Sequence, residues 1–202
     1  AVDLVSEDFE FSKASGNQLL GLRFNDIRLH RDSVIRDAYL EFASAKPSEN
    51  SAELTISVED SGNAKGFAKA ERNLSSRNLS KESVSWNPKS WAGQDQKWMT
   101  HRTPDLASLI HSIIERKDWK PGNSIAFLLS TDGDRKLAAY SKSGQNHARL
   151  IIEAEAKVED APASEPYRLR LFFGGPEIEV GQTIGQQLIA PIDAASGVGV
   201  NV

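Results

Sequence analysis

Alternation with a period of two runs through most of the chain. In Gln18–Leu29, Leu20, Leu22 and Phe24 alternate with Gly21, Arg23 and Asn25, which are small or polar, the pattern of a strand with one buried face. The apolar set then passes to Ile27 and Leu29, of opposite parity, so a bulge or turn is predicted near Asn25-Asp26. Asp37–Ser44 repeats the alternation with Ala38, Leu40 and Phe42, and Glu53–Glu59 with Leu54, Ile56 and Val58. Ser124–Ser130 (Ile125, Phe127, Leu129) and Arg149–Ala156 (Leu150, Ile152, Ala154) follow. Turn-rich stretches at Lys46–Asn50, Ser61–Gly66, Asp132-Gly133-Asp134 and Ser143–Gln145 separate them. Short alternating strands between turns predict an all-β, antiparallel, jelly-roll-like β-sandwich.

One segment changes period. From Thr103, Leu106, Leu109, Ile110, Ile113 and Ile114 recur at helical spacing, which predicts one short α-helix over about residues 104–117. Thr103 is the expected cap, Pro104 suits the first helical position, and Pro121-Gly122 ends the segment. Beyond residue 158, Glu159–Pro166 (EDAPASEP) has no apolar pattern except alanine and reads as a linker. Alternation resumes in Tyr167–Phe173, and Glu177–Val180 and Thr183–Ile189 are two further short candidates. The division is therefore a sandwich over residues 1–158, a linker over 159–166, and a segment over 167–202. That last segment either adds strands to the sandwich or begins a second module. Ala194–Val202 reads as a frayed end.

Composition narrows the chemistry. There is no cysteine among the 202 residues, which removes disulfides, thiolate nucleophiles, Cys-ligated zinc and iron–sulfur clusters. The four histidines, His30, His101, His111 and His147, include no pair at metal-ligand spacing. No apolar run approaches the ~20 residues of a membrane-spanning helix. The chain opens Ala1-Val2-Asp3 without Met, as expected of a processed or cut product whose targeting segment is not shown.

Charge is unevenly placed. Residues 1–60 carry a net −6, residues 61–142 a net +6 and residues 143–202 a net −4. All four tryptophans, Trp86, Trp91, Trp98 and Trp119, lie in the basic middle. A cationic, Trp-bearing middle suits an anionic polymer; the competing reading is a solvated surface whose charges balance in three dimensions. A pI near 5.6 argues against nucleic acid.

The ordered elements GLRFNDIRLHRDSVIRDAYLEF, SVSWNPKSW, HRTPDLASLIHSII, DWKPGNSIAFLL and ARLIIEA resemble the DNRLRE-type domains of secreted bacterial proteins over about residues 4–158. Gly21-Leu22-Arg23-Phe24, Val34–Leu40, Ser85-Trp86-Asn87, Thr103–Leu106 and Arg149-Leu150 match successive elements of that family. The resemblance implies a non-catalytic jelly-roll-like module on extracellular enzymes or adhesins. Some members bind alginate through basic side chains. YRLRLFFGGPEIEVGQTIGQQL, within the stretch 167–189, is also similar to a strand of malectin-like carbohydrate-binding domains. Where that family has Arg-Val-Phe-Asp-Val, however, this chain has Gln182-Thr183-Ile184-Gly185-Gln186.

These observations define an expected function: a secreted carbohydrate-binding module for an acidic polysaccharide, carrying an attached enzyme or cell to its substrate. The alternative is a structural or adhesive spacer beside neighbouring domains of the same polypeptide. Trp91 and Trp98, in a loop-like stretch, are candidate platforms for pyranose faces, whereas Trp86 and Trp119 are expected in the core. Arg72, Arg77, Lys89, Lys97 and Arg102 are candidate grips for carboxylates or sulfates, each with a solvated surface charge as its competing role. Arg23, mid-strand among apolar residues, is either a ligand-face or a paired structural residue. A structural calcium would use Asp132 and Asp134, with Glu7, Asp8 and Glu10 as further carboxylates. No Gly-x-Ser-x-Gly elbow, P-loop or dinucleotide fingerprint is present, and no catalytic residue is assigned.

Overall fold

The structure is a computed structural model and describes residues 8–11, 18–43, 52–89, 100–131, 135–138, 148–156 and 167–174. Its elements are β1 (Asp8–Phe11), β2 (Gln18–Ile27), β3 (Val34–Ala43), β4 (Leu54–Glu59), β5 (Leu79–Trp86), β6 (Thr100–Arg102), α1 (Ala107–Ile114), β7 (Asn123–Thr131), β8 (Arg135–Ala138), β9 (Arg149–Ala156) and β10 (Tyr167–Gly174). One sheet has the order β2-β7-β4-β5, the second β10-β9-β3-β6, and β1 pairs with β8 in a separate ribbon. All pairings are antiparallel. The pairs β4–β5, β3–β6, β2–β7 and β1–β8 nest inside one another, a folded-over antiparallel ribbon with the connectivity of a jelly roll. The fold is all-β, with one short helix among the described residues.

The alternating residues of the sequence make the core. Leu22, Phe24, Leu54, Ile56, Phe127 and Leu129 from the first sheet meet Ala38, Leu40, Phe42, Leu150 and Ile152 from the second. All are essentially without solvent contact. Phe24 meets Phe127 edge to face at 6.2 Å, and Phe42 stacks on Trp86 at 5.5 Å. The parity change in β2 is a register shift between Phe24 and Ile27. Asp26 adopts a left-handed φ of 55° there, which returns Ile27 to the core side.

β6 is short, and the reason is local. After it pairs Thr100–Arg102 with Ala43–Glu41, Pro104 brings a residue without an N–H. Side chains continue the pairing with β3: the Leu40 N–H donates to Thr103 Oγ1 and the Ala38 N–H to Asp105 Oδ1, both at 3.0 Å. Thr103 is thereby committed to β3 and does not cap the helix. The helix begins at Ala107, whose N–H donates to Asp105 Oδ1, and ends at Ile114, shorter at both ends than the spacing predicts. Its stripe of Leu109, Ile110, Ile113 and Ile114 is buried against β3, β4 and β5. Trp119 is buried beyond the helix, its indole N–H donating to the Leu29 carbonyl at 2.9 Å.

The segment after the expected linker contributes β10, which pairs with β9 from Tyr167↔Ala156 to Gly174↔Arg149. The expected linker 159–166 and strands 177–180 and 183–189 lie outside the described residues.

Candidate functional site

Glu59 and Leu79 are register partners at the ends of β4 and β5, yet residues 60–78 separate them. The Asp60 N–H donates to the Asn78 carbonyl at 2.9 Å, so the excursion leaves and returns at one point, as an Ω-loop does. Between those ends it crosses the outer face of the first sheet. Gly21 lies between core residues Leu20 and Leu22 and opposite Leu128, so the pleat turns it outward. A Cβ on Gly21 would lie 2.7 Å from Phe67 and 2.8 Å from Leu74. The missing side chain is therefore the seat of the loop. Leu128 and Ala126, also on that face, are buried.

Polar contacts hold the loop's shape. Ala64 donates its N–H to the Ser124 carbonyl, and Asn63 Oδ1 accepts from the Ser124 N–H. Arg23 donates Nε–H to the Ala64 carbonyl at 2.7 Å, a structural pairing that explains a guanidinium in the middle of a strand. Arg77 is the central tie. It donates from Nη1 to Glu59 Oε2 at 2.5 Å and to the Lys65 carbonyl at 2.9 Å. From Nη2 it reaches the Gly66 carbonyl, and from Nε the Asn73 carbonyl. Its guanidinium also lies 4.6 Å from the Phe67 ring centroid. The Arg77 side chain is 8% exposed and that of Glu59 13%.

With Arg77 turned inward, the outer side of the loop presents Lys65, Lys69 and Arg72, all exposed. Arg72 has a left-handed φ of 57°, and its carbonyl accepts from the Ser76 N–H and hydroxyl. Among the described residues none of the three cationic groups has an ion-pair partner. Lys65 and Lys69 escaped the sequence analysis because only Ser61–Gly66 stood out as a turn. The signal was the distance from Val58 to the next apolar strand, too long for a hairpin connection.

The other predicted basic residues lie elsewhere. Arg102 sits on β6, 3.9 Å over the ring of Tyr39, and donates to Asp37 Oδ2 at 2.9 Å. Tyr39 alternates with core residues Ala38 and Leu40, so this stack is on the outer face of the second sheet, on the opposite side of the sandwich from Arg77. Arg149 and Glu41, and Arg36 and Glu155, pair across the same sheet at 2.7 Å each. Lys89 is exposed just after β5. Trp91, Trp98 and Lys97 lie outside the described residues, as do Asp132 and Asp134.

Arg116, just beyond α1, pairs with Asp60 of the loop and with Asp118, whose carboxylate also accepts from the Gly62 N–H of the loop. Its hydrogen bond, chiefly, holds the Asp118 carboxyl below its ordinary value. Among the described residues no group of three or more His, Asp or Glu could hold a metal ion, and no helix is long and apolar enough to cross a membrane. Comparison of the chain with protein-family models, curated proteins and solved structures finds no match.

Proposed function

We propose that the chain is a non-catalytic, extracellular carbohydrate-binding module for an acidic polysaccharide, and that it targets an attached enzyme or cell to that polymer. The observation that carries this reading is the cationic loop: Lys65, Lys69 and Arg72 are exposed and without ion-pair partners among the described residues. Arg77 supports them from beneath. A loop already held in shape loses less entropy on binding than a loose one. Regularly spaced carboxylates or sulfates supply the complementary charge.

Affinity electrophoresis through gels containing alginate, pectin or a sulfated polysaccharide tests it. The protein should be retarded by at least one of them, the retardation should weaken with added salt, and Lys65→Gln/Lys69→Gln/Arg72→Gln should abolish most of it. Free migration in all three gels would overturn the reading. So would full retention by the triple variant, as far as the loop is concerned.

A second reading, a structural or adhesive spacer without a glycan ligand, draws on the opposite face. There Arg36, Arg102 and Arg149 are each matched to a carboxylate of a neighbouring strand, so the face is neutralised from within. That reading predicts no retardation in any gel.

A further inference from the structure

β10 stands apart from the nested ribbon. Among the described residues it pairs with one strand, β9, at the edge of the second sheet, and packs beside β2 without pairing with it, so it can leave without breaking any other strand pairing. While in place it matches the whole of β9, eight residues against eight. The β9 side of that match is distinctive. Leu150, Ile152 and Ala154 are buried towards the core, and Phe173, Leu171 and Leu169 are their register partners. Glu153 and Glu155 alternate with them, and their register partners are Arg170 and Arg168. The β9 edge thus selects a strand in which apolar and basic residues alternate, main-chain pairing supplying affinity and the alternation supplying register.

We infer that the β9 edge is a strand-acceptor site, and that its occupant can be the 167–174 strand of a second copy of this chain. The connection permits this. Ala156 and Tyr167 are adjacent partners in the hairpin, where two residues suffice for a turn. Residues 157–166 nevertheless intervene, and ten residues reach about 33 Å when extended, enough to carry β10 to a neighbour's edge. Exchange is reciprocal, which gives a closed two-fold dimer rather than an open polymer.

Replacement of residues 157–166 by ten prolines in the full chain tests the assignment. A polyproline segment of that length is a stiff spacer of about 31 Å, so β9 and β10 of one copy cannot fold back on each other and each β10 must find another copy. Light scattering coupled to size exclusion should then report a dimer of twice the chain mass, with wild-type near-UV dichroism. In the same polyproline background, Arg168→Glu/Arg170→Glu sets like charges opposite Glu155 and Glu153 and should return the mass to that of a monomer. A folded, monomeric polyproline variant overturns the proposal. A dimer that survives the charge reversal overturns the register as its basis, and open aggregation overturns the reciprocal exchange. For the unaltered chain, mixing two differently labelled preparations should give energy transfer that 167–174 peptide competes away. No transfer at any concentration would refute exchange between wild-type copies. None of these readouts involves a glycan.

Discussion

Replacing Arg77 by alanine tests the account of the 60–78 loop most directly. The substitution removes the partner of Glu59 and the donors that three carbonyls, Lys65, Gly66 and Asn73, now accept. Both side chains of the ion pair are nearly buried, at 8% and 13% exposed, so water compensates little. Breaking such a pair from one side costs about 3–5 kcal/mol, because the remaining charge is stranded. A chain of this size loses roughly 2–4 °C of melting temperature per kcal/mol, so a fall of roughly 6–20 °C is expected by calorimetry. Stability alone does not locate the damage, and limited trypsinolysis does: cleavage after Lys65, Lys69 and Arg72 should accelerate well before global unfolding. Adding Glu59→Gln to Arg77→Ala should recover part of the loss, since no charge is then stranded. A loss below about 0.5 kcal/mol, the level of an ordinary surface substitution, together with an unchanged tryptic pattern, would refute the claim that Arg77 holds the loop.

Two further expectations follow from the same geometry. Gly21→Ala drives a methyl against Phe67 and Leu74 at 2.7–2.8 Å, and overpacking of this kind costs about 1–3 kcal/mol. Chemical denaturation should show a net loss despite alanine's lower backbone entropy, and net stabilisation would show that the loop is not seated there. For Asp118, the folded-state value lies below the ordinary 3.8. Its contribution is therefore present above that pH and lost as the pH falls through the depressed value. Carbon-detected NMR titration should find the Asp118 midpoint below 3.8 and should find it raised in Arg116→Gln; an unmoved midpoint would remove Arg116 as the cause.

The sandwich was legible because a period of two is a local property. A strand with one buried face must alternate, so Leu20, Leu22, Phe24, Leu40, Ile56, Phe127 and Ile152 announced both their elements and their side of the sheet. The bulge at Asn25-Asp26 was legible for the same reason, because a parity change within one strand needs an extra residue. The helix was legible in kind and not in extent. Thr103 and Asp105 are equally suited to cap a helix or to satisfy a strand, and only β3, some sixty residues earlier in the chain, decides for the strand.

The candidate site was harder to read because charge carries no period. Arg72, Arg77 and Arg102 are alike as residues in a basic stretch, yet one faces solvent, one ties a loop from within and one lies over Tyr39 on the other side of the sandwich. What separates them is which sheet face each segment crosses, and that follows from pairings between distant strands. By itself, then, the sequence determined which residues are buried along each strand and that the chain folds without disulfides. The tertiary structure alone decided that residues 60–78 cover the first sheet, that Gly21 seats them, and that β10 closes the edge at β9. These outcomes depend on contacts between remote segments, whose energies no local pattern encodes.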